Sequence, residues 1–183
     1  HHEIVADLKQ SLDSLVARHR VDEIEAQTAK DLLTDYSTLF DQLADQIRIK
    51  GFKDDGLVGQ LRDAIHDVED SKTSYDPSYM LMLRRHEKDF FLRNDVQYLG
   101  KFNKSIEDFQ QHLNQRVSNR AARQELLNKL DTYQKLFTRV VAIQQTIGLN
   151  EDDGLHGDLR ASIHQMVPFL NEFISRSSLK VDE

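Results

Sequence analysis

Two pairs of residues repeat at matching places in this chain. Arg62 and His66 stand one helical turn apart in GLVGQLRDAIH, residues 56–66. Arg160 and His164 do the same in GLHGDLRASIH, residues 154–164. A guanidinium is a planar fork of donors that matches a carboxylate. Such a pair can help to build an anion site, or it can stabilise a charged helix edge by pairing with acids such as Asp45 or Glu69. The glycines shared by both copies have a packing reading: lacking side chains, they let helix backbones approach closely.

A second set of basic residues lies elsewhere. Arg18 and His19 interrupt the first apolar stripe beside Asp22. Arg84, Arg85 and Lys88 fall in LMLRRHEKDFFLR, residues 81–93. Arg116, Arg120 and Arg123 flank Asn119. Equal counts along the helices from Gly51, Gly56 and Gly148 bring all three groups to one level, ~44 Å below the loops at 1.5 Å per residue. Two arrangements fit. One is an internal salt-bridge layer, with Arg84, Arg85 and Lys88 against Glu87, Asp89 and Asp22, which fixes register in a long bundle. The other is an anion pocket, since arginines facing one another from several helices repel unless something negative lies between them. The residue types alone read more simply as the salt-bridge layer.

Catalytic and metal patterns fare poorly. His86-Glu87-Lys88-Asp89-Phe90 starts like a zinc HExxH motif, but Phe90 stands where the second ligand belongs. His19 and Glu23 are a weak metal pair. Asp63 and His66 have the spacing of a di-metal bundle motif without its glutamates. Cysteine is absent, and no phosphate loop or nucleophile elbow appears. The sequence therefore points to no enzyme, no metal and no cofactor.

The elements that must position these residues read as helices. Apolar residues recur at three- and four-residue steps from Ile4 through Leu15 to Ile47, so one helix is expected over residues 3–49, ~70 Å long. Gly51 suits a left-handed helix cap, and Asp54 and Asp55 suit the next helix start. Leu57, Leu61, Ile65 and Val68 mark a buried face. The pattern falters at residues 73–77, where Asp76-Pro77 is a helix-start pair. A reversal near Asn94-Asp95 balances the arms, and a further helix is expected to rise without a break from Val96 to Ile147. Tyr133, Leu136 and Phe137 echo Tyr36, Leu39 and Phe40. The repeated unit is thus a helix–loop–helix hairpin, about residues 27–72 and 122–178. The expected fold is all-α: an elongated up-down helical bundle of two related hairpins, forming a single domain over 1–183. His1 and His2 read as the end of a purification tag.

Composition agrees. The 183 residues are 39% apolar and 30% charged, with two prolines and seven glycines, which suits long helices and few turns. The net charge of −7 argues against a nucleic-acid surface. No apolar run approaches the ~20 residues of a membrane span.

The motif Gly-Leu-x-Gly-x-Leu-Arg-x-x-Ile-His at 56–66, with Leu-Arg-Arg-His-Glu-Lys-Asp-Phe at 83–90 and Arg93-Asn94-Asp95, resembles the extracytoplasmic sensor domain of bacterial methyl-accepting chemotaxis receptors, in particular the helical bimodular type. The resemblance runs from about Tyr36 to Leu170. It implies a periplasmic domain anchored by flanking transmembrane helices, a homodimer, and a small-molecule ligand such as an organic acid. It also implies signalling by helix displacement. The outer domain of a histidine kinase and a structural or dimerising bundle without a ligand are the alternatives. The chain is shorter than the full bimodular domain, so a second ligand site does not follow. Under this resemblance Arg18, Arg84, Arg85 and Arg120 are expected to approach a carboxylate, with His19 and Lys88 nearby. Arg62 and His66 form a further candidate layer.

Overall fold

A computed structural model describes residues 1–18 and 21–179. Among them the regular elements are all α-helices: α1 (His2–Ala17), α2 (Glu23–Lys50), α3 (Gly56–Glu69), α4 (Pro77–Arg93), α5 (Gln97–Arg116), α6 (Arg120–Ile147) and α7 (Gly154–Leu179). The fold class is all-α. The helices form two compact units. The first holds residues 1–45 and the described residues from 151 onward; the second holds 46–150.

In the first unit the expected single helix over 3–49 is two. α1 ends at Ala17, and Asp22 starts α2 by accepting from the backbone N–H groups of Ile24 at 2.8 Å and Glu25 at 3.3 Å. That carboxylate satisfies donors a helix start leaves unpaired, which favours a new helix over a continued one. The two helices run antiparallel. Lys30 pairs with Asp13, Lys9 donates to Thr34 at 2.7 Å, and His2 lies 3.1 Å from Asp41. Val5, Leu12, Ala26, Ala29 and Leu33 are buried between them, with Met166, Phe169 and Leu170 of α7 packed against that cluster.

The second unit is an up-down bundle of α3, α4, α5 and α6, and three short reversals shape it. At 70–76 the chain turns back. The Asp76 carboxylate accepts from Ser78 N–H at 2.9 Å, and Pro77 occupies the first helical position. At Asn94 the backbone takes a left-handed conformation, φ 49°, and closes α4. At 117–119 it reverses again, with Asn119 accepting from Ala122 N–H at 3.1 Å. The helix expected to run unbroken from Val96 to Ile147 is therefore α5 and α6, packed side by side. Arm length weighed against the supposed first helix favours one reversal near Asn94 over one near Asn119; the chain breaks at both.

The core of this bundle is aromatic. Phe90, Phe102, Phe109, Tyr133 and Phe137 are fully buried, with Phe102 4.5 Å from Phe137 and 5.1 Å from Tyr133 between ring centres. Full burial of such a side chain stabilises by ~1.5–3 kcal/mol. These rings, with Leu83, Ile106, Leu113, Leu126 and Leu130, hold the four helices together.

The repeated glycines have a more local cause than helix–helix approach. Gly59 lies in the first turn of α3, directly beneath the backbone carbonyl of Asp54 in the preceding loop. Gly157 lies in the same way beneath Asp152. A side chain at either position would strike the loop's own backbone. Gly51 takes φ 72° at the end of α2, as its place after the apolar stripe implies.

A paired substitution checks this. Gly59→Ala is expected to destabilise by about 1–3 kcal/mol, because overpacking against backbone cannot be relieved by a rotamer change. Gly100→Ala, in α5 with open space around it, is expected to stabilise by about 0.5–1 kcal/mol. Urea denaturation of the two variants measures both signs.

Candidate functional site

A cavity of about 610 Å³ opens in the second unit between α3, α4 and the loop that follows α2. Its apolar wall includes Val58, Leu61, Ile65 and Phe91. Its charged groups are Lys50, Lys53, Arg62, Arg84 and Lys88, with His66 and a single carboxylate, Glu87.

Helix geometry explains the α4 contribution. Arg84, Glu87, Lys88 and Phe91 fall at i, i+3, i+4 and i+7, one stripe of a helix. The turn at 70–76 brings this stripe back beside α3, so that Arg84 meets Arg62 and His66 around one space. Arg62 and Arg84, which an unbroken helix would set ~33 Å apart, thus share one cavity.

Each arginine has a partner. Arg62 donates to Asp54 at 2.7 Å, not to Asp45 or Glu69. Arg84 bonds Glu69, and that bond raises the Arg84 pKa above its ordinary value. His66 Nδ1 lies 3.3 Å from the other oxygen of Glu69. Lys88 Nζ lies 3.2 Å from Glu87. Lys50 and Lys53 differ. Lys50 Nζ donates to the neutral Gln144 at 2.6 Å, and burial lowers its pKa. Lys53 sits 5.4 Å over the Phe52 ring. Among the described residues neither lysine has a carboxylate within ion-pair distance. The sequence reading passed over both, although Lys50-Gly51-Phe52-Lys53 is a basic, aromatic stretch at a loop.

Glu87 is the unusual wall residue, only 2% exposed. The Tyr133 hydroxyl donates to its Oε2 at 2.7 Å, and burial with the adjacent carboxylate pushes the Tyr133 pKa far up. The phenol stays protonated and remains a donor. A buried carboxylate without such a donor would carry a desolvation cost of several kcal/mol.

The remaining candidates lie elsewhere. Arg85 points outward, 72% exposed, 3.9 Å from Asp89. Arg120 is exposed at the start of α6, thirteen residues before Tyr133 and so ~20 Å along the axis. Neither joins Arg84, because Arg85 is on another side of α4 and Arg120 is at the α5–α6 turn. Arg18 follows α1 in the first unit. His19 lies outside the described residues.

The repeat also resolves the conserved pattern within the chain. Arg160 donates to Asp152 at 3.1 Å as Arg62 does to Asp54, so this arginine clamps the loop before its helix in both copies. Val167 stands where the first copy has Glu69, so the His–Glu–Arg cluster is not repeated.

Among the described residues no group of three or more His, Asp or Glu could hold a metal, and no helix is long and apolar enough to cross a membrane. Comparison of the chain with known protein families, with curated proteins and with solved structures finds no match.

Two measurements follow. Tyr133→Phe leaves Glu87 one donor short and is expected to cost ~1–3 kcal/mol in urea denaturation with little change in helix content. His86, beside this site, has its pKa lowered by burial and by the nearby Lys101 and Arg85; its Nδ1 has no hydrogen-bond partner. Folding favours the neutral ring, so the unfolded chain takes up the proton first as pH falls. Stability is expected to drop below the ordinary histidine value of 6.5, and His86→Gln should flatten the pH profile of the melting temperature on the acid side of that value.

Proposed function

We propose that this chain is a ligand-sensing helical domain that binds a small organic anion in the cavity between α3 and α4. The observation that carries the reading is the charge balance there. Three of five cations are matched by Asp54, Glu69 and Glu87, and Lys50 and Lys53 have no carboxylate among the described residues. An anion between them would offset that excess in a partly desolvated place, where charge–charge attraction is stronger than in water. The residue pattern at 56–66 and 83–95 supports placing the domain among extracytoplasmic sensors of chemoreceptor type. In that setting the domain would be periplasmic, held by membrane helices outside this chain, and dimeric.

The mechanism is a population shift. The cavity wall comes from α3, α4 and the loop after α2, so a ligand that prefers one packing of these helices biases it by its differential affinity. A second reading has one specific observation in its favour: Arg62, Arg84 and Lys88 already have carboxylate partners. On that reading the site is a salt-bridge layer in a structural bundle.

A thermal-shift screen against organic acids, amino acids and amines separates the two. A carboxylate at ~100 times its dissociation constant adds ~2.7 kcal/mol to stability. The sensor reading expects a shift from carboxylates and none from amines, and expects Lys50→Gln to weaken it. The structural reading expects no shift from any compound, with Arg84→Ala lowering stability alone.

A further inference from the structure

The cavity's walls say more about the anion than that it is one. Building on the anion-binding reading, we infer that the ligand is a monocarboxylate carried on an apolar body of about ring size, and not a small di- or tricarboxylate.

Size is the first argument. Sites that enclose most of an organic molecule run ~300–1,000 Å³, and the cavity here measures about 610 Å³. A four-carbon diacid brings only two methylene groups to the apolar part of that wall, where a ring brings a whole apolar face. With the diacid, water would face Val58, Leu61, Ile65 and Phe91, which offer it no hydrogen bond.

Charge is the second. Lys50 and Lys53 stand three residues apart on either side of the Gly51 turn. One carboxylate can take both, an oxygen to each lysine. With both lysines so engaged, a second carboxylate on the ligand would have to displace Asp54 from Arg62, Glu69 from Arg84 or Glu87 from Lys88, each already in place. It would also crowd the Glu87 carboxyl group, whose partners, Lys88 and the Tyr133 hydroxyl, are already in place. The repulsive element discriminates as much as the attractive one.

The third is Phe52. This ring is 73% exposed at the loop, beside Lys53 and on the rim of the cavity. Large exposed aromatic side chains are costly in water. One that lines a cavity with an apolar floor is placed to cover an apolar ligand, by offset or edge contact with a ring.

Isothermal titration calorimetry on the whole chain tests this with phenylacetate, succinate, citrate and 2-phenylethanol. Phenylacetate is expected to bind at least tenfold tighter than succinate and at least tenfold tighter than 2-phenylethanol, which has the ring without the carboxylate. Phe52→Ala and Lys53→Gln change exposed loop residues, so circular dichroism should show both folded, and each should weaken phenylacetate severalfold. Succinate or citrate binding tighter than phenylacetate overturns the ligand class and leaves the anion-binding reading standing. 2-Phenylethanol binding as tightly as phenylacetate overturns the anion-binding reading and this one with it. Binding by none of the four overturns both.

Discussion

The hydrogen bond between Tyr133 and Glu87 sets the geometry of everything around the cavity. It ties α6 to α4 through a group that is expensive to bury and more expensive to leave unpaired. A leucine at position 87 would pack between these helices with some freedom to rotate or slide. A carboxylate that must meet one hydroxyl has far less. Once Glu87 is fixed, the rest of its stripe is fixed as well: Arg84 lies one turn before it, Lys88 beside it and Phe91 one turn after it. The charges on the cavity wall are therefore oriented by the core behind them, where Tyr133 packs against Phe102, Phe102 against Phe137 and Phe137 against Phe90.

Much of the fold could be read from residue pattern, because helical periodicity is a local property. The apolar stripe of α3, the Asp76-Pro77 start of α4 and the Gly51 turn all stand where their residues put them. What could not be read was which interruptions reverse the chain. The residues at 70–76 suit a helix pause and a full turn equally well. The choice depends on whether Leu61, Ile65 and Val68 find a better partner in α6 than in solvent, which is a tertiary question. The same holds at 117–119. The long-arm picture came from treating residues 3–49 as one helix, when Asp22 already carried the signal for a break.

That one ambiguity decided how well the site could be anticipated. With α3 and α4 in line, Arg62 and Arg84 belong to different layers; with the turn at 70–76, they share a wall. Arg85 enters the expected layer by the same error, since its level is counted from Gly56 across the turn at 70–76; Arg120, counted along the unbroken α6, is matched to that false level. Lys50 and Lys53 were passed over because they lie at a loop, where a lysine ordinarily signifies only solubility. Their interest arises from what surrounds them, and no window of sequence contains that.

The ion pairs at the cavity are a weak source of stability, and this bears on what they are for. Arg62 and Asp54 are both more than half exposed, and pairs of that kind contribute ~0–1 kcal/mol. The aromatic core alone outweighs them several times over. The arrangement of cations is thus nearly independent of whether the bundle folds. What the pairs do is hold guanidinium groups in set directions: Asp54 clamps Arg62 to the loop, and Glu69 links Arg84 of α4 to the end of α3. The second copy of the motif keeps the first of these functions in Arg160 and Asp152 and lacks the second, because Val167 replaces the glutamate. The loop clamp is therefore a property of the repeated hairpin. The α3–α4 link through Glu69 belongs to the first copy alone, and it joins the two helices whose side chains line the cavity.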